Sequence, residues 1–545
     1  MGDPVAELRT AVEAAAATLR DGADPGGAAP ALERPPKAEF GDYSTNAAML
    51  LAPALGEKPR GTAERLAEEL ARTLEGSVDR VEVAGPGFLN FFLTDAWYRD
   101  AATELAGAGE EIGRPVARGA TERVNVEFVS ANPTGPVTAA GGRGAALGDS
   151  IARVLEFTGH PVTREYYVND RGGQIDRFAE SIAARMKGEP LPEDGYEGEY
   201  VAEIGQSLEQ EGIDPSDLEA VARRGVALMV AAAEETLHRY DVVFDTWSSE
   251  RALHESGAVE RALAEAREAG HVYESEGAIW LRTTSFGDDK DRVLIRSDGD
   301  PTYFLSDIAY HREKLDRGSD RLIDVLGADH HGYVERLRAG LAALGYDPDS
   351  LEVAIMQLVH VIEGGERAQM SKRRGEFVTL DELIDDIGAD AARFFMLQRS
   401  HDTTVDLDLE LARKTSNDNP VYYVQYAHAR IASILRKAGE GAEKRAAEAD
   451  FAASEADVQP AERALIKRLC ELPEEVSETA ARRAPHRLCA YATEVARDFH
   501  AFYRDCRVVG AGPGLEEARL GLCLLTKRTI ARTLGLLGIS APERM

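Results

Sequence analysis

Cysteine is scarce in this chain of 545 residues: four in all, Cys470, Cys489, Cys506 and Cys523, late in the sequence and without zinc-finger spacing. That excludes a disulfide framework, and reduced thiols inside a C-terminal helical core are the plain reading. A structural metal is not expected. No apolar run approaches the roughly 18 residues of a membrane helix, and the N-terminus lacks a basic and then apolar leader. Secretion and membrane insertion are unsupported, so the cytoplasm is the expected compartment. Positive charge is also in short supply, with 63 Lys and Arg against 95 Asp and Glu and a formal net charge of -32. A nonspecific nucleic-acid binder does not fit that balance, because a polyanion needs local positive potential. The glycines form neither a dinucleotide fingerprint nor a P-loop.

What is present is a globular composition, 44% hydrophobic and 29% charged, long enough for roughly two to five compact units. The basic residues are not spread evenly. Arg482, Arg483, His486, Arg487, Arg504, Arg507, Lys527, Arg528 and Arg532 gather in the last stretch, where they make either a face that docks RNA or ordinary solvated helix surfaces.

Apolar spacing predicts a multidomain α/β protein. Val5, Leu8, Val12, Ala15 and Leu19 mark an amphipathic helix, and a second follows from Thr62 to Leu74. Strands follow at Val81–Ala84 and Pro86–Leu93. Residues 1–110 thus read as a small α+β domain, with Gly107–Gly119 as a linker. The next unit, 111–390, alternates like a nucleotide-binding fold: a strand at Val124–Val129, a Gly/Pro-rich turn at Ala131–Gly142, a helix at Gly144–Phe157 and a strand at Val162–Val168. Such a turn presents N–H groups at a helix N-terminus, where phosphate sits well. A polar, mostly helical insertion occupies about 180–280, and strands resume at Leu322–Leu326 and Glu352–Val359. From about 391 to 545 helices dominate, among them Leu411–Ala438, Ala461–Ala480 and Arg487–Tyr503.

Several clusters can carry chemistry. Glu127 and Asn132 bracket a strand end, where open α/β sheets bind ligands, and a carboxylate with an amide can hold an ammonium group. A capping Asn and a surface Glu are the plainer alternative. Tyr303 and Asp307 lie four apart and share a helix face, so the carboxylate can receive a guanidinium in bidentate fashion. Asp329-His-His-Gly332 suits nucleotide hydrogen bonding better than zinc, since adjacent residues of a strand point to opposite faces. Lys372, Arg373 and Arg374 beside glycines can close on polyphosphate, or be a basic surface.

In order and spacing, GDYSTNAAML from Gly41, VNVEFVSANPTGP from Val124, YYVNDRGGQ from Tyr166, FDTWSSE from Phe244, DVLGADHHGY from Asp324, MSKRRGEFVTLDEL from Met370 and NPVYYVQYAHAR from Asn419 resemble the arginyl-tRNA synthetases, class I aminoacyl-tRNA ligases. The resemblance spans nearly the whole chain. It implies a Rossmann-type catalytic core, an N-terminal tRNA-binding domain and an all-α anticodon-binding domain. Implied too are ATP-dependent ligation of arginine to an arginine-accepting tRNA, with Mg2+ carried by ATP, no membrane association and action as a monomer. Residue by residue, Glu127 and Asn132 match contacts to the α-amino end of arginine. Tyr303 and Asp307 match guanidinium readers, with Glu250 and Gln174 also in the substrate site. Gly142, Gly327, Asp329, His330, Gly332 and Met370 match the ATP side. Tyr423, Tyr426, His428 and Arg430 match the start of the tRNA-reading helices. Two departures stand out. The family's His-x-Gly-His is here Thr138-Ala-Ala-Gly141, and the loop's first lysine is Gln369. The expected compensation comes from the Thr138 hydroxyl, the backbone around Gly141, and the charges of Arg143, Lys290, Lys372 and Arg373. A synthetase-like protein that binds tRNA or arginine without joining them is the alternative.

Overall fold

The Val124–Glu127 strand is buried at every position, as expected of a central parallel strand covered on both faces. In the computed structural model, which describes residues 3–20, 30–35, 37–116, 119–367, 378–454 and 456–545, it is the middle of a five-stranded parallel sheet. The order is Leu351–Met356, Arg321–Gly327, Val124–Glu127, Val162–Val168, Thr246–Ser249. Register sets Glu127 opposite Asp324 on one side and Glu165 on the other.

The two faces of this sheet differ. Val126, Ile323 and Val325 belong to the large core under the Ala139–Phe157 helix. Leu322 and Leu351 join a smaller core with the helices Tyr303–Asp316 and Val334–Ala343. Because strand side chains alternate, that second face also carries Asn125, Glu127, Glu165 and Asp324, all buried. A charged layer under the Tyr303 helix results.

The edge strand Thr246–Ser249 lies within the stretch expected as an insertion, yet it pairs with Val162–Val168 and so delivers Glu250 to the sheet's end. Three expected elements are divided. The stretch 352–359 changes sheets: after Met356 the chain starts a new strand, Val359–Glu363, paired with Val405–Asp408. The helix expected over 411–438 is broken by Pro420, which has no N–H to donate. It becomes Leu409–Ala412 and Pro420–Lys437, the latter capped by the Asn419 side chain. The helix expected over 461–480 becomes Pro460–Cys470 and Leu472–Arg482, with Pro473 in the first turn of the second.

At the N-terminus a four-stranded antiparallel sheet packs with the helices Pro4–Arg20, Pro59–Thr73 and Asp95–Gly107. Ion pairs join this unit to the C-terminal helices, Lys467 to Asp42 at 2.7 Å and Arg463 to Asp95. Asp42 also accepts the Tyr98 hydroxyl at 2.6 Å. The four cysteines are free and buried in the helical unit. Arg393, buried, ties the layers together: it bonds Asp149 at 2.5 Å, the Leu537 carbonyl at 2.8 Å and the Tyr240 carbonyl at 2.9 Å. Among the described residues no helix is long and apolar enough to cross a membrane.

Candidate active site

The helix Tyr303–Asp316 begins where Thr302 Oγ donates to the Val293 carbonyl at 2.8 Å, which fixes the direction of its first turn. Asp307, one turn on from Tyr303, accepts the Tyr333 hydroxyl at 2.5 Å. Burial raises its pKa. Glu250 lies close enough to Asp307 for the two carboxyls to repel. Its helix is capped by Ser249, whose hydroxyl donates to Asp170 at 2.7 Å, and Asp170 also accepts the Arg251 N–H at 2.9 Å. Burial, then repulsion from Asp307, pushes the Glu250 carboxyl up to about 7, against the pull of Arg171. The Tyr167 phenol lies among these acids; burial, then Glu250, Asp307, Glu127 and Asp170, raise its pKa. Two carboxyl groups poorly solvated by burial, with Glu250 raised further by Asp307, form a site for a delocalised cation with several donors.

Tyr303 stands at the open side, 63% exposed, with its hydroxyl beside Gly172, where an added Cβ would lie 3.6 Å away. Asn132 and Gln174, distant in sequence, bond at 2.7 Å. Thus the fold gathers Asn132, Gln174, Glu250, Tyr303 and Asp307 at one end of the sheet. Glu127 departs from expectation. One of its oxygens binds the Lys314 ammonium and the other accepts the Ser130 hydroxyl at 2.9 Å, so it forms the floor of the site and is not a free carboxylate.

At the turn expected to meet phosphate the helix starts at Ala139, earlier than the spacing suggests, because Thr138 caps it by accepting the Gly141 N–H at 3.2 Å. Among the described residues the Thr138 O–H has no acceptor. The same turn is stitched to the segment after residue 377: Ala139 N donates to the Val378 carbonyl at 3.0 Å and Leu380 N to the Val137 carbonyl at 2.8 Å. Gly142 has a packing reason as well, since a Cβ there would meet Leu380 Cδ1 at 2.7 Å. Arg143 is also corrected. It is 1% exposed, and its two terminal nitrogens donate to the carbonyls of Gln357, Leu358, Ser400 and Thr403 at 2.7–3.4 Å. It is a clamp between backbone segments and offers nothing to phosphate. Lys290 is exposed before the Arg292–Ile295 strand, and its carbonyl accepts the Thr283 hydroxyl at 2.7 Å. Gly327 ends its strand and Gly332 lies in the 3-10 turn Ala328–Tyr333. The side chains of Asp329 and His330, and residues Gln369, Met370, Lys372 and Arg373, lie outside the described residues.

On the Pro420–Lys437 helix, Tyr423, Tyr426 and Arg430 come together. Arg430 lies 4.6 Å from the Tyr426 ring and 5.5 Å from that of Tyr503, and bonds the Tyr426 hydroxyl at 2.8 Å. His500 packs on Tyr423 at 5.0 Å, and burial, then Arg430, lowers its pKa to about 4. This aromatic and cationic surface borders a cleft of about 530 Å³ lined by Tyr426, Arg430, Arg436, Lys437, Tyr503 and Arg544. His500 and Tyr503 escaped the sequence reading; only their i, i+3 spacing on an amphipathic helix could have signalled them. His428 is corrected: it is buried and its Nδ1 pairs with the Pro542 carbonyl at 2.9 Å. Of the two readings of the late basic residues, ion pairing within the chain favours ordinary helix surfaces, as Arg483 pairs with Glu352, Arg487 with Glu475, Lys527 with Glu543 and Arg504 with Asp505.

Three family models match the chain. They are the arginyl tRNA synthetase N terminal domain over residues 6–93, the tRNA synthetases class I (R) catalytic domain over 110–190 and 210–432, and the DALR anticodon binding domain over 424–545. An arginine--tRNA ligase of Desulforudis audaxviator is 47% identical, with 99% of this chain and 97% of that protein covered. One from Frankia alni is 48% identical over 94% of each. Among solved structures, the Thermus thermophilus arginyl-tRNA synthetase aligns with a TM-score of 0.79 at 28% identity, covering 99% of this chain and all of the other.

Proposed function

The chain belongs to the arginyl-tRNA synthetase family, and from that premise we propose that it holds the guanidinium of its arginine between Glu250 and Asp307. Its reaction is the joining of arginine to tRNA, driven by ATP as in class I synthetases generally. The near-complete match to arginine--tRNA ligases does not favour a binding protein without ligase activity. Tyr303 closes the guanidinium end from the solvent side, and Asn132 and Gln174 receive the α-amino end. The arginine carboxylate attacks the α-phosphorus of MgATP and displaces pyrophosphate. A ribose hydroxyl of the tRNA's terminal adenosine then attacks the arginyl-adenylate, and AMP leaves. No side-chain nucleophile is needed, so positioning and charge stabilisation carry the rate. Where the family has two histidines, the Thr138 hydroxyl and the N-terminus of the Ala139–Phe157 helix meet the phosphates. Tyr423, Tyr426, Arg430, His500 and Tyr503 offer stacking faces and charge to unpaired bases, the chemistry an anticodon loop requires. The cytoplasm, which keeps thiols reduced, suits the four free cysteines.

The observation that carries this reading is the Glu250–Asp307 carboxylate pair at the mouth of the sheet. Total tRNA charged by the purified chain with labelled arginine, ATP and magnesium tests it. Arginine-specific charging is expected, whereas arginine and tRNA binding without charged product would overturn it.

A pH profile examines the pair directly. The free Glu250 carboxyl ionises at about 7, and a bound guanidinium favours its charged form, so arginine binding below that pH must expel a proton. KM for arginine should therefore rise as pH falls through 7, by up to about tenfold per pH unit, and level off above it. KM for ATP should not follow. Glu250→Gln should bind arginine weakly with a flat profile; a variant that keeps the native slope would assign the titration elsewhere.

A further inference from the structure

Lys314 is wholly buried, beneath the candidate arginine pocket, in the charged layer between the sheet and the Tyr303–Asp316 helix. Its ammonium binds Glu127 and lies 3.2 Å from Asp324. Glu127, His311 and Asp324 bring their ligating atoms within 4.8 Å of one another, the kind of grouping that elsewhere holds a metal ion. Here the resident cation is the ammonium. Burial alone would lower the Lys314 pKa, but Asp324 and Glu127 carry it above its ordinary value, and Lys314 in turn helps hold Asp324 well below the carboxylate range. Burying such a set carries a desolvation cost that apolar residues of similar size would avoid, so packing alone does not account for it.

Two chains of hydrogen bonds leave Lys314. The first runs through Asp324 to His311 at 2.6 Å, and from His311 Nδ1 to the Asp307 carbonyl at 2.7 Å. It ends on the backbone of a guanidinium reader. The second runs through Glu127 to the Ser130 hydroxyl at 2.9 Å, which accepts the Tyr167 N–H at 3.1 Å. It ends in an unusual turn, in which Val129 and Ser130 have φ of 68° and 40°. A β-branched residue in the left-handed region persists only where its surroundings impose it. That turn delivers Asn132 to Gln174.

We propose that Lys314 is a positioning residue of the arginine pocket, a buried ammonium that fixes Asp307 at one end through Asp324 and His311, and the Val129–Ser130 turn and Asn132 at the other through Glu127. The spacing between the two ends of the pocket, and with it selection by side-chain length, depends on this one charge. The inference rests on the arginine-pocket reading given above.

Steady-state charging by Lys314→Met tests it, with KM measured separately for arginine and ATP and kcat corrected by active-site titration. Expected is a rise in arginine KM of roughly 10- to 100-fold, in line with the loss of hydrogen bonds to charged groups, with ATP KM within about twofold of the wild type. A purely structural lysine would lower the melting temperature and the active fraction while leaving both KM values alone, and that result would overturn the proposal. Asp324→Asn, which keeps the shape and weakens the first chain while leaving the second in place, should show the same split at smaller amplitude. It decides the matter if Lys314→Met does not fold, because an unchanged arginine KM in Asp324→Asn also overturns the proposal. Asp307→Ala is measured alongside. If it raises arginine KM selectively and the other variants do not, the relay falls while the pocket stands. If it moves arginine and ATP equally, the pocket reading itself falls.

Discussion

Replacing Asp307 by alanine is expected to lower kcat/KM for arginine by roughly 10²- to 10⁴-fold, the equivalent of about 3–5 kcal/mol for breaking a buried charge pair. KM for ATP should stay near its wild-type value. The asymmetry follows from what the carboxylate touches. Its hydrogen bond is to the Tyr333 hydroxyl, which leaves further lone pairs for a substrate N–H, and it shares its space with Glu250. A guanidinium satisfies both acids together. A neutral urea in its place leaves one carboxylate desolvated and unpaired, which discriminates far more strongly than a lost methylene would. Citrulline is therefore the informative competitor: wild type should exclude it, and Asp307→Ala should lose most of its preference for arginine over it. Equal losses for arginine and ATP would remove Asp307 from the guanidinium role.

The sheet was legible because its strands and turns carry strong local signals. Val162–Val168 follows the expected bounds, and Tyr303 and Asp307 share a helix as their spacing requires. Glu250 was harder to place. Its strand is a short edge segment, Thr246–Ser249, with no buried residue, so nothing in its periodicity separates it from the helices around it. Asn132 and Gln174 were each visible, but their contact depends on how the strained turn after Glu127 is held, which is a long-range property. Lys314 gave no signal, since a lysine in the last turn of a helix reads as a favourable solvated charge. Only the sheet packed against it reveals that it is enclosed. His428 erred in the opposite direction. Its neighbours Tyr426 and Arg430 face the cleft, while its own position on the helix turns it toward the C-terminal tail at Pro542.

Arg143 misled for the same reason, and its replacement should have the largest effect on stability. Next to a phosphate-binding turn, an arginine reads as a cation for phosphate. Within the fold it spans two segments, Gln357–Leu358, where the chain leaves the parallel sheet, and Ser400–Thr403, which leads into the strand at Val405–Asp408. Burial lowers its pKa to about 10, so it remains charged at neutral pH while four carbonyls compensate for lost water. Arg143→Met would leave those carbonyls unpaired in a closed site, at about 3–5 kcal/mol in total, and a chemical-denaturation midpoint lower by a corresponding amount is expected. Arg143→Lys is the sharper test, because lysine keeps the charge but cannot fork across two backbone segments. If the residue is a clamp, Lys should destabilise nearly as much as Met, and whatever folds should keep its KM for ATP. If its charge serves phosphate, Lys should preserve much of the activity, while Met should fold normally and turn over slowly. The geometry favours the first pattern, because a guanidinium whose two terminal nitrogens are taken by backbone carbonyls can reach phosphate only by abandoning the junction between the Ala139–Phe157 helix and these two segments.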